Sequence, residues 1–174
     1  MSVIVCLGTA YESARRTLRR TEQPDMGATA SQVFRNGLSQ RDTSPGGAPV
    51  AKTVLIVDDN EFIRQALCEL FQRQGDFEVC ADAENGREAI EMAEQLLPDL
   101  IVLDLSMPVM NGLDAARVLK RIMPTVPLIM YSAFGDRFVE QQARLIGISD
   151  VVSKSDPVSV LLAKARNLLY PTAA

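Results

Sequence analysis

Val54-Leu55-Ile56-Val57 and Leu100-Ile101-Val102-Leu103 are apolar at every position, and each stops abruptly at an aspartate. A strand with one wet face alternates. An unbroken apolar run bounded by polar turn residues reads instead as a strand covered on both faces, the usual condition of a parallel sheet between helices. That inference constrains the rest of the chain, because parallel neighbours need a crossover, and crossovers are right-handed and usually helical. It also singles out the residues where the runs end. In open parallel sheets, ligand chemistry collects beyond the carboxyl ends of the strands.

From Lys52 onward the sequence supplies such crossovers. After Asp58-Asp59-Asn60 a helical stripe runs through Phe62, Ile63, Ala66, Leu67, Leu70 and Phe71, with Asp59 or Asn60 to cap it and Gly75 to stop it. Phe77, Val79 and Ala81 alternate with Glu78, Cys80 and Asp82, the pattern of a strand nearer a sheet edge. Asn85-Gly86 turns the chain into a second helix with Ala89, Ile90, Ala93, Leu96 and Leu97 inward, ended by Pro98. The run to Asp104 is the third strand. A third helix is predicted over 112–122, a fourth strand over 127–131, a fourth helix over 136–146 and a fifth strand around 150–152. Asp156-Pro157 opens a last helix in cap-then-proline order, carrying Val160, Leu161, Ala165, Leu168 and Leu169. Five such units predict an α/β fold: a doubly wound five-stranded parallel sheet in strand order 2-1-3-4-5, with helices on both faces.

Residues 1–51 are different. They carry six Arg and four acidic residues, net +2, whereas 52–174 carry twelve Lys or Arg and eighteen Asp or Glu, net −6. From Pro24 to Pro49 the segment is rich in Gly, Ser, Thr, Gln and Pro, which bury too little surface to offset their ordering entropy. We therefore expect 1–51 to be a disordered N-terminal extension, its Arg pairs at 15–16 and 19–20 a solvated face. A net charge of −4 argues against a chain built to coat nucleic acid or an anionic membrane. No apolar stretch approaches the ~20 residues that span a bilayer. Cys6, Cys68 and Cys80 have no zinc-type spacing and read as reduced thiols of a cytoplasmic protein. Histidine is absent, which excludes His-based triads, His general bases and His-ligated zinc.

The strand ends carry a constellation. Asp58 and Asp59 follow the first strand, Asp104 the third, Ser132 ends the fourth, and Lys154 follows the fifth. In the order 2-1-3-4-5 the ends of strands 1 and 3 adjoin, so three carboxylates meet and repel. A divalent cation resolves the repulsion, and an all-oxygen donor set points to Mg2+. With an ammonium from Lys154 and a hydroxyl from Ser132, the pocket suits a phosphoryl group carried on Asp104.

VLIVDDN (54–60), LIVLDLSMPVMNG (100–112), PLIMYSA (127–133) and VVSK (151–154) together resemble the receiver domain of two-component response regulators, the family of the bacterial chemotaxis regulator. The resemblance covers about 52–170 and implies a flavodoxin-like fold, with 52–174 as the receiver domain. It implies that Asp104 is the phosphoacceptor, that Ser132 is the switch hydroxyl and that Lys154 pairs with the phosphoryl group. Asp59, Asp58, Asp104 and the carbonyl of Ser106 would hold Mg2+. The implied donor is a phosphohistidine on a sensor histidine kinase or histidine phosphotransfer protein. The implied role is phosphorelay signalling rather than turnover of a substrate, directed at an unknown downstream protein. With no reader module at either end, the sequence suggests a stand-alone receiver, with no nucleic acid or membrane partner and with phosphorylation-dependent dimerisation open. A phosphatase with an aspartyl-phosphate intermediate would place Asp-x-Asp on its first strand, where this chain has Asp-Asp.

Three positions depart from the family's pattern. Receivers usually carry an aromatic residue in the fifth strand, where this chain has Val151, so signal output is expected to run mainly through the loop after Ser132. The lysine is often followed directly by a cis proline, whereas Ser155 and Asp156 precede Pro157 here. Phe134, two residues beyond the switch hydroxyl, is expected to shield the acyl phosphate from water.

Overall fold

The computed structural model describes residues 50–133 and 137–171. All but the last two residues of the expected extension over 1–51 lie outside them, as does Phe134. The described elements run β1 (Lys52–Val57), α1 (Glu61–Gln72), β2 (Phe77–Ala83), α2 (Gly86–Leu96), β3 (Leu100–Leu103), α3 (Gly112–Ile122), β4 (Leu128–Ser132), α4 (Arg137–Ile146), β5 (Asp150–Ser153) and α5 (Val158–Leu169). All strand pairings are parallel, in the order β2-β1-β3-β4-β5. This is the doubly wound arrangement that the apolar runs predict.

Period-two alternation divides each buried strand between two cores. Val54, Ile56, Leu100, Val102, Ile129, Tyr131 and Val152 join Leu67 and Phe71 of α1 and Leu161, Leu162 and Ala165 of α5 in one cluster. Leu55, Val57, Ile101, Leu103, Leu128 and Met130 are equally buried and point to the opposite face. Most of the buried side chains that the helices bring there are small, Ala89 and Ala93 of α2, Ala115 and Ala116 of α3 and Ala143 of α4, with Leu119 and Val139 the larger ones. Small side chains let helix backbones approach the sheet closely.

Both Asn-Gly pairs among the described residues, Asn85-Gly86 and Asn111-Gly112, start helices. Asn85 caps α2 through its side-chain oxygen, which accepts from the Arg87 and Glu88 N–H groups, and Asn111 caps α3 by accepting from Asp114. Asn60, rather than Asp59, caps α1, accepting from Phe62 and Ile63. Three details differ from the sequence reading. Phe62 is 82% exposed and Ala66 is exposed. At ~100° per residue the inward stripe centres on Leu67 and Phe71, which turns Phe62 about 140° away from Leu67. Leu96 and Leu97, at the end of α2, are exposed, and Leu97 terminates the helix in the left-handed region at φ 49°. Finally, α5 begins at Pro157 with no side-chain cap, and the Asp156 carboxylate instead accepts from the Ser153 N–H.

Between β1 and β2 the register shifts after Val54, leaving Cys80 as the extra residue, its thiol donating to the Val54 carbonyl at 3.5 Å. Near the amino end of the sheet, Asp99 joins β3 to β1: Thr53 N and Thr53 Oγ1 both donate to its Oδ2 at 3.0 Å, and Lys52 pairs with Oδ1.

Candidate functional site

Register places the chemistry. Val57 pairs with Leu103 across the central β1–β3 ladder, so the residues that follow, Asp58 and Asp104, emerge side by side. Their backbones continue the sheet: Asp104 N donates to Val57 O at 2.8 Å, and Asp58 N to Ala83 O at 3.1 Å. One strand over, Ser132 pairs with Ser153, and Lys154 N donates to Ser132 O at 2.8 Å. The four residues that the sequence places at strand ends are thus brought together, with Asp59 beside them.

Asp58, Asp104 and Ser132 are the buried polar residues among those described, at 1%, 4% and 1% exposure. Lys154 Nζ lies 2.7 Å from Asp58 Oδ2 and 2.9 Å from Asp104 Oδ1, bridging the two carboxylates. Asn60 N donates to Asp58 Oδ1 and Ser106 N to Asp104 Oδ2, both at 3.0 Å. Asp59 points to solvent, yet a carboxylate oxygen from each of Asp58, Asp59 and Asp104 lies within 4.8 Å of the others. Ser106 is exposed, and its described contact to the site is through its N–H.

Burial pushes the Asp58 carboxyl above its ordinary range, against the opposing pull of Lys154 and of the Asn60 N–H, and the nearby Asp104 charge adds to the rise. Burial also disfavours the Lys154 ammonium, but hydrogen bonds to Asp58 and Asp104 outweigh it and raise the lysine's pKa. One ammonium therefore pairs with two of three clustered carboxylates, at Asp58 Oδ2 and Asp104 Oδ1. An all-oxygen cluster of excess negative charge fits a hard divalent cation.

Arg64 belongs to the site although the sequence did not reveal it. Its Nη1 donates to the Asp58 carbonyl at 2.7 Å and its Nε pairs with Asp82 Oδ2 at 2.6 Å, tying the end of β1 to β2. The signal was present only as an arginine on the first helix, on the same side as Leu67.

The loop from β3 to α3 closes over Asp104. Met107 is buried, Met110 N donates to Pro108 O at 2.7 Å, and Val109 between them takes φ 66°. A β-branched residue in the left-handed region is strained, so the surrounding contacts must hold this tight turn. Gly86 N donates to Met110 O and Gly112 N to Leu105 O, anchoring the loop to α2 and α3. Residues 105–111 are thereby fixed against the backbone of Asp104. No cis peptide bond occurs among the described residues, so the Lys154–Pro157 turn is trans throughout. No helix among them is long and apolar enough to cross a membrane.

Comparison with known proteins gives a consistent picture. The family model of the response regulator receiver domain matches residues 54–166. The chain is 39% identical over 105 residues to the chemotaxis protein CheY of Thermotoga maritima, covering 60% of this chain and 87% of that protein. It is 38% identical over 117 residues to a protein-glutamate methylesterase/protein-glutamine glutaminase of Pyrococcus abyssi, of which it spans only 32%. Among solved structures, the response regulator domain of Thermotoga maritima CheB superposes with a TM-score of 0.65 at 29% identity, over 71% of this chain and 99% of that one. A chain of the CheX-CheY-BeF3-Mg+2 complex from Borrelia burgdorferi gives 0.64 at 25% identity, over 67% of this chain and 88% of that one.

Proposed function

This chain belongs to the response regulator receiver domain family and so serves phosphorelay signalling, and on that premise we propose that Asp104 is its phosphoacceptor. The carrying observation is the Lys154 ammonium held at 2.7 and 2.9 Å between two buried carboxylates, Asp58 and Asp104. In the proposed reaction an Asp104 carboxylate oxygen attacks the phosphorus of a phosphohistidine. The new O–P bond forms as the P–N bond to the imidazole breaks, and the leaving imidazole takes up a proton. The donor is a sensor histidine kinase or a histidine phosphotransfer protein. Lys154, freed from part of its pairing as Asp104 becomes an acyl phosphate, stays within reach of the phosphoryl oxygens. Ser132, buried at the end of β4, supplies a hydroxyl to the same group.

Asp58, Asp59, Asp104 and the Ser106 carbonyl are the proposed Mg2+ ligands. The chemical contribution of the ion when bound is charge neutralisation on the transferring phosphoryl oxygens. Asp58, fixed by Asn60 N and by Arg64 through its carbonyl, presents a carboxylate that need not reorganise. Residues 52–174 are proposed as the signalling unit, an acceptor rather than an enzyme that turns over small phosphate esters. Cys68 and Cys80, which form no disulfide among the described residues, support a cytoplasmic setting.

Intact mass after exposure to acetyl phosphate with Mg2+ tests this. A gain of one phosphoryl group, lost with EDTA and in Asp104→Ala, is the expected result. No gain with acetyl phosphate or with a phosphohistidine donor would overturn the assignment.

A further inference from the structure

Tyr131 immediately precedes Ser132 on β4 and is only 6% exposed. Its side chain lies on the α1–α5 side of the sheet, in the cluster containing Ile56, Val102, Val152 and Leu161. It pairs with Val152, two residues before Lys154. Residues two apart on a strand leave it on the same side, so the stem of Lys154 starts on the face that Tyr131 occupies. From there the ammonium reaches Asp58 and Asp104 and lies 6.0 Å from the centre of the Tyr131 ring.

We propose that Tyr131 is a positioning residue of the phosphoacceptor site, its buried ring holding the Lys154 ammonium beside Asp58 and Asp104 by a cation–π contact. The assignment rests on the phosphoacceptor role of Asp104 proposed above. Two carboxylates on one side do not fix a four-carbon side chain with free rotors, and a ring on the flank removes the alternative positions. The contact matters most when the acidic partners change, because a phosphoryl group on Asp104 alters one of the two anchors while the ring stays in place. The ring face lies toward the ammonium, so phenylalanine preserves the contact and leucine removes it while filling similar volume. The expected slowing of phosphoryl uptake on losing the ring is about threefold to tenfold.

The test uses the full chain with acetyl phosphate and Mg2+, following phosphoryl uptake by intact mass. Tyr131→Phe should react within about twofold of the parent, and Tyr131→Leu about threefold to tenfold more slowly. In a Lys154→Ala background Tyr131→Leu should add no further slowing, which a merely structural role of the ring would not predict. Proton–carbon NMR of the unmodified chain supplies a second readout that needs no phosphorylation. The Lys154 ε-methylene protons should be shifted upfield by the ring, still shifted in Tyr131→Phe and unshifted in Tyr131→Leu. If the parent takes up no phosphoryl group while the upfield shift is present, the phosphoacceptor reading fails and the contact stands. An unshifted methylene in the parent, or equal slowing by Tyr131→Leu with and without Lys154, overturns the proposal.

Discussion

Replacing Gly112 by alanine would drive a methyl group into the backbone that carries Asp104. A Cβ at that position would lie 2.0 Å from the Asp104 carbonyl oxygen, and 2.9 Å from both its carbonyl carbon and the Leu105 Cα. Cβ contacts under 3.0 Å essentially do not occur, so α3 or the Asp104–Leu105 peptide must move by about 1 Å. Neither is free to move. Asp104 N is bound to Val57 O at 2.8 Å, and Gly112 N to Leu105 O at the same distance. Adding methyl groups where side chains can adjust costs about 1–3 kcal/mol, and a backbone obstacle belongs at the top of that range. Better helix propensity returns at most about 1 kcal/mol. The expected net loss is about 2–3 kcal/mol in urea unfolding. Gly75→Ala is the control: φ is +73° and nothing lies within 4 Å, so only backbone strain of about 1 kcal/mol applies. A loss at Gly112 no larger than at Gly75 would refute the reasoning. Phosphoryl uptake on Asp104 should fall in Gly112→Ala at temperatures where the protein is still folded, because its backbone is displaced.

Arg64→Lys should weaken Mg2+ binding about tenfold, read from the rise in thermal midpoint with added Mg2+, since one ammonium cannot serve both the Asp58 carbonyl and Asp82; unchanged affinity would count against Arg64 as part of the site. The Asp76 carboxyl is held below its ordinary range chiefly by Arg166, whose guanidinium contacts both its oxygens. A depressed carboxyl stabilises the fold above its unfolded value near 3.8 and loses that contribution as pH falls through the folded value. Asp76→Asn should therefore cost under about 1 kcal/mol at pH 7, given the exposure of the pair, and flatten the acid side of the stability profile; an unaltered profile would refute it. Burial pushes the Cys80 thiol up to about 11, so native-state alkylation at pH 8 should leave Cys80 unmodified on peptide mapping until urea is added. Rapid labelling in buffer alone would refute this.

What the sequence reveals follows the length scale of the interaction. Strand ends are legible because a buried run and its terminating aspartate are adjacent in the chain, so Asp58, Asp104 and Lys154 could be named and their convergence followed from strand order. Phe62 misled because an apolar residue in a first helical turn fits a stripe by spacing, while the axial rotation that exposes it is set by how Leu67 and Phe71 meet the sheet. Arg64 was invisible because its partners are a carbonyl 6 residues away and a carboxylate 18 away on another strand. Gly112 could be read as a turn residue but not as the place where two backbones nearly touch. Tyr131 looked like one more strand residue, since the lysine beside it lies across a ladder.

The two Asn-Gly caps also bear on how the protein ages. Such pairs are where a chain most readily deamidates, because the glycine nitrogen attacks the neighbouring side-chain carbonyl to form a cyclic imide. Here that nitrogen is engaged at both places, by Met110 O for Gly86 and by Leu105 O for Gly112, while each asparagine oxygen already accepts helix N–H groups. Cyclisation would require opening the turn that rests on Asp104. The fold that presents Asp104 therefore also protects the two most perishable peptide bonds around it, and damage there should accumulate only as fast as the molecule opens.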